Sequence, residues 1–387
     1  MGRMALLGRG AAAPPAVVTV AAMSGRVVTV RLPAPEAAVA IRGAWDAHQA
    51  VLVLDPRAPE AEAEAILARL APELGVDPTV AAVVATSGTA GAPKGVELTW
   101  DGLGASAAAV SAALDVGPGD RWLACLPLHH VAGLAVLGRA WATGTPVTVL
   151  DRFHPGEVAS ADATLVSLVP TMVRRLREAG ADLGRFRRIL LGGGPVHEQG
   201  PNIVATYGLT ETWGGIVHDG HPLAGVELSI GAGDEILVRA PMVMRGYRLA
   251  PEETAAAFTA GGWLRTGDAG TIDAGGRLRV VDRLRDLIIT GGVNVAPSEV
   301  EAVLAQHPDV ADVCVAGAPD PEWGERVVAH VVPRAGSDPP ALAELRAFAA
   351  GRLSAAKLPR QVVVTGVIPR TPGGKPLRRL LEVKGAP

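Results

Sequence analysis

The run Thr86-Ser87-Gly88-Thr89-Ala90-Gly91-Ala92-Pro93-Lys94-Gly95 is composed to hold phosphate. Glycines 88, 91 and 95 let the backbone turn its N–H groups towards an anion at little steric cost. The hydroxyls of Thr86, Ser87 and Thr89 add donors, and Lys94 adds a compact cation. The run is not a Walker A loop, because Pro93 precedes the lysine and Gly95 follows it. Taken alone, the stretch also reads as a Gly/Ser/Thr surface hairpin. Lysine usage sharpens the first reading. Only four of the 36 basic residues are lysine, at 94, 357, 375 and 384. One falls in this loop and another in Pro369-Arg370-Thr371-Pro372-Gly373-Gly374-Lys375-Pro376-Leu377-Arg378.

Five further motifs lie between those lysines. Leu126-Pro127-Leu128-His129-His130-Val131-Ala132-Gly133-Leu134 sets a histidine pair between a strand end and a helix start. Leu190-Leu191-Gly192-Gly193-Gly194-Pro195 ends a strand in a turn without side chains, able to lie against a base. Tyr207-Gly208-Leu209-Thr210-Glu211-Thr212 offers a stacking wall at one of only two tyrosines, a phosphate donor in Thr210 and a hard oxygen ligand for Mg²⁺ in Glu211. Trp263-Leu264-Arg265-Thr266-Gly267-Asp268 ends in an acid, and Asp282-Arg283-Leu284-Arg285-Asp286 precedes Gly291-Gly292. Asp268 and Arg283 are suited to ribose hydroxyls. Each motif alone has a bland explanation as a turn, a capping histidine or a solvated acid. Together they describe a nucleotide site.

Elements must position these groups. Apolar strands are predicted over 50–54, 80–85, 121–126, 147–150, 164–168 and 188–191, with helices over 102–114, 133–142 and 170–179. That alternation predicts an α/β fold of layered subdomains with buried strands. From 226 to 281 the pattern shortens into strands and turns, as in a small β lobe. A strand at 287–290, a helix entered at Pro297, strands at 310–315 and 327–332 and a helix over 340–353 predict a smaller α+β domain. The boundary is expected between 284 and 285, giving domains 1–284 and 285–387, of a length that suits two cores.

Composition removes several alternatives. Net charge is −3 and aromatic residues are 3%, which gives nucleic acid neither an electrostatic footprint nor stacking platforms. Cys125 and Cys314 lie in apolar runs and read as small core residues, with no disulfide framework. Arg9, Gly10 and Pro14-Pro15 interrupt any leader-like apolar stretch, and no run approaches the ~20 residues that span a bilayer. A cytoplasmic protein without membrane insertion is expected.

From about Val80 to Arg379 the chain resembles the adenylate-forming superfamily of acyl-CoA ligases, nonribosomal adenylation domains and luciferases. The resemblance implies ATP, Mg²⁺ and coenzyme A as the small molecules handled, together with a carboxylic acid. Thr86–Gly95 would be the phosphate loop, and Glu211 with Thr86 would hold the metal. Gly193, Gly194, Pro195, Tyr207, Gly208 and Thr210 would surround the nucleotide, with Asp268 and Arg283 on its ribose. Arg285 would occupy the hinge of a mobile C-terminal domain, a place where aspartate or lysine is commoner. Lys375 would be the catalytic lysine, assisted by His130 and Glu211, and Gly291-Gly292 would line the coenzyme A passage. His130, Gly133 and Arg139, with Val169-Pro170-Thr171-Met172, are similar to the o-succinylbenzoate–CoA ligases of menaquinone biosynthesis. Arg139 would then meet a second substrate carboxylate, unless it is a surface helix residue. Ligation of another aryl or medium-chain acid, and loading of a carrier protein, stay open, and a homodimer is compatible. The early phosphate loop implies a reduced N-terminal subdomain. The segment 196–206, with Pro201 inside it, is too short for the helix relatives generally have there.

Overall fold

The computed structural model describes residues 5–7, 27–87, 93–194, 196, 198–370 and 376–381. The fold is mixed α/β, and the chain packs into two compact units. One comprises Met1–Ser229 and Leu237–Thr266, the other Ile230–Ile236 and Gly267–Pro387.

In the first unit, Val27–Val30, Ala50–Val53 and Val80–Ser87 run parallel. Pro93–Thr99 returns antiparallel to Val80–Ser87, and Gly246–Tyr247 adds a short edge. Ala50–Val53 is buried along its whole length, as a strand covered on both faces must be. A second sheet of eight strands places Val147–Val149, Trp122–Ala124, Leu165–Leu168, Arg188–Leu191 and Ile203–Leu209 side by side in parallel. It then turns antiparallel through Gly214–His218 and His221–Pro222. The turns at His129-His130, Gly193-Gly194 and Thr210-Glu211 follow the carboxyl ends of three of these parallel strands, where α/β sheets bind ligands.

Two helices frame that rim. Trp100–Ala113 opens on Thr99, whose hydroxyl accepts from the Gly102 N–H at 3.0 Å. Val131–Thr143 is apolar on nearly every face, and every residue from Gly133 to Ala140 is buried. The predicted helix 170–179 is Pro170–Glu178, opened by its proline. Within 196–206 the described residues form turns and then the strand Ile203–Leu209, with no helix.

A four-stranded sheet orders Glu227–Ile230, Glu235–Arg239, Leu264–Ile272 and Leu278–Arg283. In the second unit, Gly324–Pro333 is the middle strand of another sheet, antiparallel to Ile288–Thr290 and Val310–Asp320 and parallel to Gln361–Val364. Helices Pro297–Leu304 and Leu342–Ala350 bury Val300, Leu304, Leu345 and Ala349 in its core. Cys125 and Cys314 are both buried, and burial pushes each thiol up to about 12. Among the described residues no helix is long and apolar enough to cross a membrane.

Candidate active site

The two ends of the run predicted to hold phosphate lie on paired strands. Val80–Ser87 and Pro93–Thr99 pair with Thr86 opposite Lys94, and the Thr86 hydroxyl donates to the Lys94 carbonyl at 3.4 Å. The predicted contacts of Gly88, Thr89 and Gly91 lie outside the described residues, as do those of Pro195 and Lys375. The Lys94 ammonium stands 4.8 Å from the ring centroid of Tyr247. The Tyr247 hydroxyl in turn donates to Glu211 Oε1 at 2.9 Å. Thr86, Lys94, Tyr247 and Glu211 therefore form one connected corner.

Sequence reasoning missed Tyr247, although it is one of only two tyrosines. It sits on the two-residue edge strand Gly246–Tyr247, held by arginines on either side. Arg245 and Arg248 reach the buried Glu97 at 3.2 and 3.3 Å, and Arg248 also donates to the carbonyls of Leu70 and Ala71. A second tie comes from the Tyr247 N–H, which donates to the Thr254 hydroxyl at 2.8 Å.

Glu211 is held by a tight turn. The Thr212 hydroxyl accepts from the Leu209 N–H at 3.0 Å and lies 2.8 Å from the Gly214 carbonyl. A Cβ on Gly208 would stand 1.8 Å from that same carbonyl, so only glycine fits there. Tyr207 is half-buried on the strand beside the Gly193-Gly194 turn, because Ala205 pairs with Leu191. The structure thus brings Gly193, Gly194, Tyr207, Gly208, Thr210 and Glu211 to one rim. Thr86 and Glu211 offer oxygen donors only, and no group of three or more His, Cys, Asp or Glu able to hold a metal exists among the described residues. That sparse oxygen set fits Mg²⁺, which keeps waters and takes substrate phosphates as its other ligands.

His130 is exposed and sits at the N-cap position of helix Val131–Thr143 without a side-chain capping hydrogen bond, and Gly133 fills the crowded first turn, where a Cβ would stand 2.3 Å from the Pro127 carbonyl. Arg139 is no surface residue. It is 4% exposed, with its guanidinium 4.8 Å over the Trp122 ring and Nη2 3.4 Å from the Ser167 hydroxyl. Among the described residues no carboxylate lies within ion-pair distance of it, and its Nε has no partner. Burial alone draws it down to about 10. Nearby, His218 and Thr206 face each other across Gly214–His218 and Ile203–Leu209, with both His218 ring nitrogens and the Thr206 hydroxyl unpartnered. His218 falls to about 4, first through burial and then through the Arg139 charge, with Asp219 opposing.

His129 falls to about 4 as well, through burial and its neighbour His130, against the pull of Asp55 3.9 Å away. Both imidazoles ionise near 6.5 in the unfolded chain, so between pH 6.5 and 4 that chain binds protons which the fold refuses. Their contribution is complete above pH 6.5 and is lost as pH falls through 4. We expect up to about 3 kcal/mol of lost stability per histidine, read as a falling urea midpoint across that interval. A flat midpoint would contradict the burial of both rings.

In the second unit Asp268 and Arg283 are cross-strand neighbours, with Arg283 Nε 2.8 Å from Asp268 Oδ1. Arg285 sits in the short turn Leu284–Asp286, its Nε 3.7 Å from Asp286. Gly291 and Gly292 both take positive φ, 56° and 78°, and the Gly291 N–H donates to the Trp323 carbonyl at 2.9 Å.

Residues 70–248 match the model of the AMP-binding enzymes, and residues 299–375 match that of the AMP-binding enzyme C-terminal domain. The chain is 39% identical to a 2-succinylbenzoate–CoA ligase of Geobacillus kaustophilus, over 78% of this chain and 69% of the relative. It is 39% identical to a probable 2-succinylbenzoate–CoA ligase of Mycobacterium tuberculosis, over 81% and 86%. Among solved structures, o-succinylbenzoate CoA synthetase from Bacillus subtilis, in complex with its acyl-adenylate intermediate, superposes with a TM-score of 0.83 at 29% identity, covering 94% of this chain and 89% of that one.

Proposed function

This chain belongs to the AMP-binding enzymes, and on that premise we propose that it is an ATP-dependent acid–CoA ligase converting 2-succinylbenzoate to its CoA thioester. The observation that carries the choice of acid is Arg139. A buried guanidinium with no carboxylate partner among the described residues is costly, and a dicarboxylic substrate would supply the missing anion. The relatives' names point to the same acid.

In the first step a substrate carboxylate oxygen attacks the α-phosphorus of ATP, the bond to pyrophosphate breaks, and an acyl-adenylate forms. Positioning and charge neutralisation supply most of the acceleration in such a displacement. Lys94 and the Thr86 hydroxyl cradle the leaving phosphates, and Tyr247 orients the Glu211 carboxylate. Mg²⁺, when bound by Glu211 and Thr86, neutralises triphosphate charge. Lys375 bridges the attacking carboxylate and an α-phosphate oxygen, while His130 closes the acid's side of the rim. Asp268 and Arg283 hold ribose. For the second step the domain 285–387 turns about Arg285, and Gly291-Gly292 lines the path of coenzyme A. Its thiolate sulfur bonds to the acyl carbon and AMP departs. With ATP and coenzyme A as co-substrates, this chemistry belongs in the cytoplasm.

Pyrophosphate release measured over a panel of acids, with and without coenzyme A, tests the reading. The expected result is acid-dependent release with 2-succinylbenzoate and a thioester only when coenzyme A is present. Release with monocarboxylic acids and none with 2-succinylbenzoate would reject the substrate, and an adenylate indifferent to coenzyme A would reject the acceptor.

A further inference from the structure

Lys375 lies outside the described residues, in the stretch 371–375 between Arg370 and Pro376. These two residues form an antiparallel bridge, and the Leu377 N–H donates to the Pro369 carbonyl at 2.8 Å. Residues 369–370 and 376–377 therefore close a stem. Each leg of that stem carries an anchoring arginine. Arg370 donates to Asp312 Oδ1 at 2.7 Å near the surface. Arg378, three residues past the lysine, makes the deeper attachment.

Its Nε donates to the Val315 carbonyl at 2.9 Å and its Nη2 to Glu301 Oε1 at 2.8 Å. The same Glu301 oxygen accepts from the Val315 N–H at 2.8 Å, so arginine and glutamate together grip one residue of the strand Val310–Asp320. The side chains of the pair are only 17% and 16% exposed. Burial opposes charge on Arg378, but Glu301 and the nearby Asp282 and Asp286 outweigh it and hold the guanidinium ionised. The third nitrogen, Nη1, lies 3.5 Å from Asp286 Oδ2, and that carboxylate also stands 3.7 Å from Arg285. One guanidinium thus links the stem, the strand Val310–Asp320 and the turn Leu284–Asp286.

Well-packed apolar side chains stabilise an interior as well as a buried ion pair does, so such a pair gives geometry more than stability. We propose that Arg378 is a positioning residue for adenylation: by fixing the stem to Val315, Glu301 and Asp286 it sets where the Lys375 segment is presented. This rests on the role given to Lys375 above.

A double-mutant cycle in this chain tests it, with ATP–pyrophosphate exchange reporting adenylation and preformed acyl-adenylate plus coenzyme A reporting thioester formation. Arg378→Gln is expected to slow adenylation about 30-fold and to leave thioester formation within about threefold. In a Lys375→Ala background it should slow adenylation less than about twofold further, because it acts through that lysine. Arg378→Lys should recover part of the rate. Equal losses in both half-reactions, or full additivity with Lys375→Ala, would make Arg378 a merely structural residue and overturn the proposal. Should Arg378→Gln not fold, Glu301→Gln carries the same comparison. An undiminished exchange rate in Lys375→Ala alone would fell the lysine's role and this inference together. The expected loss in Lys375→Ala together with an additive Arg378→Gln fells only the inference.

Discussion

Lys375→Ala is expected to slow acyl-adenylate formation by at least about two orders of magnitude, roughly 3 kcal/mol of transition-state stabilisation, while sparing the transfer of preformed adenylate to coenzyme A. The asymmetry is what makes the result informative. Negative charge accumulates between the attacking carboxylate and the α-phosphoryl oxygens only in the first step. An ammonium placed there acts on that transition state and has no such role in thiol attack on the acyl carbonyl. Single-turnover measurement of each half-reaction separates the two. Equal losses in both would reject the assignment, and so would an adenylation rate that survives.

Arg139→Met is expected to lower kcat/KM for 2-succinylbenzoate by about a hundredfold or more, on the order of 3 kcal/mol, and to change monocarboxylic acids by less than about threefold. Methionine keeps a long apolar side chain beside Trp122 and removes a charge that the fold holds 4% exposed without an acid partner among the described residues. Thermal stability should accordingly hold or rise, since an uncompensated buried cation is a cost to the folded state. A uniform loss across all acids, or a large fall in melting temperature, would mean that Arg139 supports the core and selects nothing.

Much of the scaffold was legible because its signals are local. The run 80–85 is apolar and β-branched, and it folds as the strand Val80–Ser87, paired with Pro93–Thr99. Pro170 and Gly180 bracket the helix Pro170–Glu178 as capping rules require. The rim residues were legible as motifs because strand ends, turns and hydroxyls occur together in sequence. What escaped depends on distant partners. Tyr247 gains its meaning from Glu211, 36 residues earlier, and from Lys94 on another strand. Arg378 gains its meaning from Glu301, 77 residues earlier. The burial of Arg139 left a trace that could have been used. Helix Val131–Thr143 has no polar face, so its single arginine had nowhere solvated to go.

Cys125 and Cys314 lie in the interior, each with its ionisation driven up to about 12. A disulfide-exchange dye needs thiolate at an accessible sulfur, and neither residue provides one while the protein stays folded. Colour developing in a running reaction would therefore count unconsumed coenzyme A directly. The same dye would double as a sentinel for unfolding, because two extra equivalents per chain would surface as the interior opened.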